Sequence, residues 1–258
     1  MTQRPLILLS NDDGVDAPGL RAIREALMPD ADVVVCAPAT NQSATSHALT
    51  LHRPLRLDQR ESGIFAVDGT PADCIYVALG SGQRVLPRRP DLCVSGLNHG
   101  LNLGIDTFYS GTVAAAREAV LREVPAVALS ADVRAHVSLA AALGARIALE
   151  VLKLRATFVD TPLLNVNFPP GNAWSLEATR LGKRVYAAEV DFRRDQRGAE
   201  YLWIGGAHPL HMAAHGSDTD AYDRGVVGVT PLSLDQTERA AMSAALGVVA
   251  SLSTSFSA

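Results

Sequence analysis

The sequence predicts an α/β fold: a doubly wound, mainly parallel sheet with a protruding C-terminal β-hairpin arm. Strand-length apolar runs alternate with helix-length segments from residue 6 to residue 168, the spacing expected of βαβ units. The apolar runs end in polar turns, as strands of such a sheet do when they deliver loops to one edge. Past Pro169-Pro170-Gly171 the texture changes to alternating stretches around a charged tip, which reads as a ribbon rather than another βαβ unit.

Leu6-Ile7-Leu8-Leu9 is the first strand, stopped by Ser10-Asn11-Asp12-Asp13-Gly14. A helix opens near Pro18 and places Leu20, Ile23 and Leu27 on one face, and Asp32–Pro38 is the second buried strand. Pro54–Leu57 and Gly63–Val67 read as short strands, the second ended by Asp68-Gly69. Thr70 and Asp73 have the spacing of a capping box, and Pro71 suits the first helical position, so a helix runs through Cys74, Ile75, Val77, Ala78 and Leu79. Asp91–Gly96 is a buried strand, followed by a loop over 97–110, a helix over Gly111–Leu121, a strand over Pro125–Ser130 and a long helix over Val137–Leu154. Leu163–Phe168 is expected to be the last strand of the main sheet. Arg184–Val190 and Tyr201–Ile204 flank the tip 193–198 as a hairpin that packs on its own core or on a neighbouring subunit through Phe192, Tyr201 and Trp203, because a lone ribbon is unstable. Gly225–Leu232 reads as a further strand and Thr237–Leu252 as an alanine-rich helix. Residues 1–170 are thus expected to form the core, and residues 171–258 an arm, a returning strand and a helix.

The chain has 258 residues, 48% of them hydrophobic, enough for a substantial core. A net charge of −4, with no dense Lys/Arg block, gives no footprint for nucleic acid. The apolar run after Arg4-Pro5 is too short for a signal peptide, and no run reaches spanning length, so neither membrane nor export is expected and the setting is cytoplasmic. Cys36, Cys74 and Cys93 lie in apolar segments without a CxxC pair and read as buried, reduced thiols rather than a disulfide frame or zinc site.

Three strand exits carry the chemistry. The first presents Asp12 and Asp13, whose mutual repulsion calls for a proton, a basic group or a hard cation, although Asn, Asp and Gly also build ordinary turns. The second offers Thr40, Asn41, Gln42 and Ser43, and the third Asn98, His99 and Asn102 in a loop with Gly100 and Gly104. Carboxylate, amide and hydroxyl oxygens suit Mg²⁺ or Mn²⁺ better than zinc. Tyr109-Ser110-Gly111-Thr112 opens a helix of small residues, and its free N–H groups and dipole favour an anion. Such a serine also serves as a plain N-cap, and the two readings are compatible. His99 reads as a general acid, a substrate contact or a surface residue.

With these residues assembled, the chain resembles the survival protein SurE family of metal-dependent nucleoside monophosphate phosphatases. The resemblance is carried by Ile7–Gly14 with Ala17-Pro18-Gly19, by Ala37-Pro38 with Asn41 and Ser43, and by Val94–Asn98 with Gly100, Asn102 and Gly104. Tyr109–Ala116 and Asp218-Thr219-Asp220 complete it in the family's order. It implies a Rossmann-like core and one divalent ion per subunit, Mg²⁺ or Mn²⁺, held by Asp12, Asp13, Ser43 and Asn98. It also implies a phosphate pocket of Ser110, Gly111 and Thr112 beside Asn98, and a homodimer or homotetramer joined through the C-terminal arms. Residues 171–180 and 191–200 match the family pattern poorly.

The expected reaction is hydrolysis of a nucleoside 5′- or 3′-monophosphate by attack of water on phosphorus, with Asp12, Asp13, Asn98 and Ser110 as the catalytic set. Attack by Asp12 itself, giving a phosphoaspartate, is the alternative course. A receiver-like signalling domain is a rival, weakened because Ser43 and Asn98 stand where an acceptor aspartate is needed. A non-catalytic nucleotide-binding module is a second rival, since the fold alone does not argue for turnover. A dinucleotide oxidoreductase is disfavoured because the first turn lacks GxGxxG.

Overall fold

The computed structural model describes residues 4–186, 190–204, 210–212 and 214–253. Its first strand, β1 (Leu6–Ser10), is buried along its whole length. Alternation divides its side chains between two cores: Ile7 and Leu9 join one, Leu6 and Leu8 the other. α1 (Pro18–Leu27) starts on a proline that needs no N–H partner, and it buries Leu20, Ile23 and Leu27, spaced for one helical face. β2 (Asp32–Pro38) then returns parallel to β1.

β3 (Leu57–Glu61) and β4 (Ile64–Val67) form an antiparallel pair at the sheet edge. The expected strand over Pro54–Leu57 is corrected here: the strand begins where that stretch ends. Polar, exposed Asp58–Glu61 is recruited by pairing with β4 rather than by its own hydrophobicity. α2 (Pro71–Gly80) carries the expected capping box, with Thr70 accepting from the Asp73 N–H and the Asp73 carboxylate accepting from the Thr70 N–H.

β5 (Leu92–His99), α3 (Asp106–Tyr109), α4 (Gly111–Leu121), β6 (Ala126–Ala131), α5 (Val137–Leu154) and β7 (Leu163–Phe168) follow. β5 runs three residues beyond the Gly96 end expected for it, because pairing with β6 resumes at Asn98 and His99 after a register shift. The extra length places Asn98 on a strand rather than on a free loop.

The main sheet does not stop at β7. β8 (Leu176–Ala178), β9 (Lys183–Val185), β10 (Val190–Arg194), β11 (Glu200–Ile204), β12 (Leu210–Met212), α6 (Asp218–Asp223), β13 (Val227–Pro231) and α7 (Met242–Ser253) complete the order, and β13 pairs antiparallel with β7 while β8 adds to β13. The sheet order is β3-β4-β2-β1-β5-β6-β7-β13-β8. An unpaired β7 edge would leave backbone donors and acceptors without partners, and the returning chain satisfies them. α1 and α5 cover one face of the sheet and α2 and α4 the other, each over its own hydrophobic core. Cys36, Cys74 and Cys93 are free and buried as expected, and burial pushes the Cys74 and Cys93 thiols up.

The arm is an antiparallel ribbon in which β9 pairs with β12 and β10 with β11. The middle of the expected strand over Arg184–Val190, residues 187–189, lies outside the described residues. Phe192, Tyr201 and Trp203 stay exposed, so the ribbon does not pack them on this chain's core.

The chain leaves β1 for β2 and β4 on one side and returns to β5 on the other. The gap between the carboxyl ends of β1 and β5 is therefore the topological switch point, where open α/β sheets receive ligands.

Candidate active site

The turn after β1 is shaped by Asn11, whose side chain donates to the Gly14 carbonyl at 2.9 Å and accepts from the Gly14 N–H at 3.2 Å. Gly14 sits at φ +107°, which a side chain would rarely adopt. This Asx-type closure presents Asp12 and Asp13 in succession at the switch point. Asp12 is 4% exposed, and burial raises its pKa; the neighbouring Asp13 raises it further, against a lowering hydrogen bond from Thr112. Asp13 is less buried and accepts from the His99 N–H at 3.1 Å. His99 thereby serves the site through its backbone.

The second exit folds over the first. Gln42 N–H donates to the Asp12 carbonyl at 2.7 Å, and Asn41 Oδ1 accepts from both the backbone N–H (2.9 Å) and the hydroxyl (2.8 Å) of Ser43. Farther along, Ser46 donates to the Phe108 and Tyr109 carbonyls, His47 meets buried Glu118 at 2.9 Å, and Thr50 donates twice to Asp73. The loop bearing Ser43 is thus fastened to α2, α3 and α4. At the third exit, Asn98 Nδ2 donates to the Gly100 carbonyl at 2.9 Å, which fixes the direction of its amide.

Ser110 caps α4 by accepting from the Val113 N–H at 3.1 Å, which leaves its own proton available to a ligand. Gly111 is where the helix start meets the acidic turn: a Cβ there would lie 2.7 Å from Asp12 Cβ and 2.9 Å from Pro71 Cγ. The Thr112 hydroxyl is fully buried and donates to Asp12 Oδ1 at 2.5 Å. Its side chain orients the carboxylate instead of facing the cleft.

Asp12, Ser43, Asn98 and Ser110 line one cleft of about 890 Å³. Asp13 lines an adjoining cleft of about 360 Å³ that shares Asn98, His99, Asp132 and Val133 with the first. The donor set fits a hard divalent ion. Ser43 donates its hydroxyl proton to Asn41 and Asn98 turns an amide N–H to Gly100, so each offers oxygen lone pairs, while Asp12 and Asp13 supply negative charge, that of Asp12 made unfavourable alone by burial. Among the described residues no cluster of three or more His, Cys, Asp or Glu could hold an ion. The arrangement that could take one is a set of mixed carboxylate, amide and hydroxyl oxygens at the strand exits.

Several residues of this region take roles that their local sequence does not reveal. Asn102, noted for its loop, is buried: it donates from its side chain to Ser130 at 2.7 Å and from its backbone to Asn167, while Asn165 and Asn167 donate to its carbonyl. It anchors the loop to β6 and β7. Asp218 accepts from the Gly104 and Gly182 N–H groups, tying that loop to the root of the arm. Arg184 and Tyr186 reach the larger cleft from the arm, and both bond Asp106. Only a chain contact spanning some eighty residues brings them there, and no spacing rule anticipates it.

Asp132 lines both clefts. The Arg134 guanidinium, then the Arg134 N–H and the Tyr222 hydroxyl, hold its carboxyl at about 2, below the ordinary aspartate value of about 3.9. A depressed carboxylate stabilises the fold above its unfolded value, and that contribution fades as pH falls from about 4 towards 2. Asp132→Asn is expected to flatten the loss of thermal stability over that interval, measured by melting temperature against pH. An unchanged slope would show that the pair contributes nothing.

This is a doubly wound α/β protein whose switch point brings oxygen donors from three strand exits to the capped start of a helix. The chain belongs to the SurE family: the family described as "Survival protein SurE" matches residues 7–188. It is 65% identical over 234 residues to a protein named 5′-nucleotidase SurE from Sorangium cellulosum (strain So ce56), covering 90% of this chain and 91% of the relative. It is 47% identical to the 5′-nucleotidase SurE of Geobacter sulfurreducens, over 92% of this chain and 91% of that one. Among solved structures, the SurE protein from Aquifex aeolicus superposes with a TM-score of 0.78 at 36% identity, covering 93% of this chain and 98% of that one.

Proposed function

We propose that this protein is a metal-dependent 5′-nucleotidase that hydrolyses nucleoside monophosphates to nucleoside and phosphate. The observation that carries the reading is the single cleft in which Asp12, Ser43, Asn98 and the Ser110 cap of α4 meet. The names of the relatives support the substrate class. Asp12, Asp13, Ser43 and Asn98 would hold one divalent ion, Mg²⁺ or Mn²⁺, which supplies Lewis-acid charge opposite a phosphoryl group.

The chain's own residues do the rest. Ser110 donates its free hydroxyl proton to a phosphoryl oxygen, and the N-terminus of α4 receives the remaining negative charge, with Gly111 allowing close approach. Thr112 holds the Asp12 carboxylate in place. A water oxygen forms the new bond to phosphorus and gives up a proton, the ester P–O bond breaks, and the nucleoside oxygen takes up one proton, so the proton count closes. ¹⁸O-water with single-turnover trapping tests this course: label found only in released phosphate, with no acyl phosphate on Asp12, is the expected result.

Phosphate release from a panel of 5′- and 3′-nucleotides, with Mg²⁺, Mn²⁺ or a chelator, tests the function itself. Release that depends on the ion and stops with chelator is expected. Chelator-resistant release, or tight nucleotide binding without release, would overturn the reading. A homodimer or homotetramer joined through the arm fits the exposed Phe192, Tyr201 and Trp203 and the exposed Leu246 and Val248 of α7. No helix among the described residues is long and apolar enough to cross a membrane. A cytoplasmic setting suits the three free thiols.

A further inference from the structure

We propose that Tyr186, at the root of the arm, forms with Val190 and Ile204 the platform on which the nucleobase of the substrate stacks. This rests on the nucleotidase reading above and names a part of the substrate that the reading leaves unplaced. The three side chains line the same cleft as Asp12, Ser43, Asn98 and Ser110. Val190 and Ile204 are register partners on β10 and β11, so they stand side by side where the ribbon leaves the root. All three are open to solvent, Tyr186 at 47%, Val190 at 47% and Ile204 at 86%, an apolar wall in a cleft whose floor is acidic.

The ring is held in position. The Tyr186 hydroxyl donates to Asp106 Oδ1 at 2.5 Å, and the other oxygen of Asp106 takes the Arg184 guanidinium. Burial and this bond to a carboxylate push the phenol up to about 12, so it stays a donor at working pH. The Arg184 guanidinium carbon lies 5.7 Å from the ring centre. Asp106 also accepts, through its carbonyl, the N–H of Ser110. One residue thus ties the platform to the serine that caps the phosphate-receiving helix, separated by a single helical turn. A nucleotide whose phosphate lies at Ser110 has its base left to place in the same cleft, and a pre-fixed aromatic face binds it with little side-chain ordering.

Aromatic stacking accepts any base, because every base has a π-face. The platform therefore predicts tolerance of purines and pyrimidines and discrimination against phosphates that lack a base. Titrations of AMP, CMP and ribose 5-phosphate into the Asp12→Asn protein with Mg²⁺, which is expected to turn them over too slowly to deplete them during the titration, read this directly. Adding Tyr186→Ala is expected to weaken AMP and CMP about tenfold to a hundredfold and leave ribose 5-phosphate unchanged. Tyr186→Phe, which keeps the ring, is expected to bind nearly as well as tyrosine. Equal weakening of all three ligands, no weakening of any, or a Phe variant as poor as Ala would overturn the proposal. So would a changed sedimentation coefficient of Tyr186→Ala with AMP binding intact, which would give the face to a second copy of the chain. Failure of the nucleotidase reading shows separately, as wild-type protein that releases no phosphate.

Discussion

Asp12→Asn is expected to lower kcat/KM for nucleotide hydrolysis by about a thousandfold or more while the melting temperature holds or rises. The two effects have one cause. Asp12 is 4% exposed and adjoins Asp13, and both burial and the neighbouring charge work against its ionised form. An amide of the same shape still accepts from Thr112 and removes the unfavourable charge, so the fold loses nothing. The site, however, loses the most buried of the negative donors facing the cleft. Removing one preorganised electrostatic group from an active site costs roughly 3–4 kcal/mol of transition-state stabilisation, and a metal-ligating carboxylate belongs at or above that range. Steady-state phosphate release and differential scanning calorimetry check the two halves. A variant with wild-type activity would remove the carboxylate from the mechanism, and a large fall in melting temperature would make it a structural residue. Such opposition between stability and activity is common where function keeps a strained charge in place.

Gly111→Ala is expected to weaken both fold and turnover, opposite in sign to what helix propensity alone predicts. Alanine is favoured over glycine within helices by up to about 1 kcal/mol. Here the added carbon would sit 2.7 Å from Asp12 Cβ, 2.9 Å from Pro71 Cγ and 3.0 Å from Asp12 Oδ2. These neighbours are packed, so either the start of α4 or the acidic turn must move. Overpacking of this kind costs about 1–3 kcal/mol of stability, and a displacement near 1 Å in a reacting constellation costs about a hundredfold in rate. The expected variant is folded, less stable and about a hundredfold slower. Gly80→Ala is the control, because a Cβ there meets nothing within 4 Å. Its stability is expected to stay level or rise slightly, with activity unchanged. Equal behaviour of the two variants would show that the contact between α4 and the Asp12 turn is loose.

The parts legible beforehand share a physical character. The capping box at Thr70 and Asp73, the proline starts of α1 and α2, and the apolar periodicity of α1 are written within a few residues, and the structure returns them. That Asp12, Ser43, Asn98 and Ser110 meet at one cleft with Asp13 beside it was legible because the loop after a buried strand has only one edge of the sheet to go to. Thr112 shows the limit: its place in the first turn of α4 said nothing about its hydroxyl, which turns inward to Asp12. The extension of β5 to His99 and the seat of β13 beside β7 depend on pairing with strands remote in the chain.

Residue order alone was enough for the alternating elements, the doubly wound class and the three polar exits, because these follow from hydrogen-bonding and hydrophobic patterns over short stretches. It took the folded chain to reveal which oxygen atoms are already committed, that Asn102 and Asp218 anchor loops, and that Arg184 and Tyr186 of the arm enter the cleft. Such choices are made by contacts between segments far apart in the chain. A side chain's role there depends on the partner that reaches it, and that partner is not encoded in its neighbours.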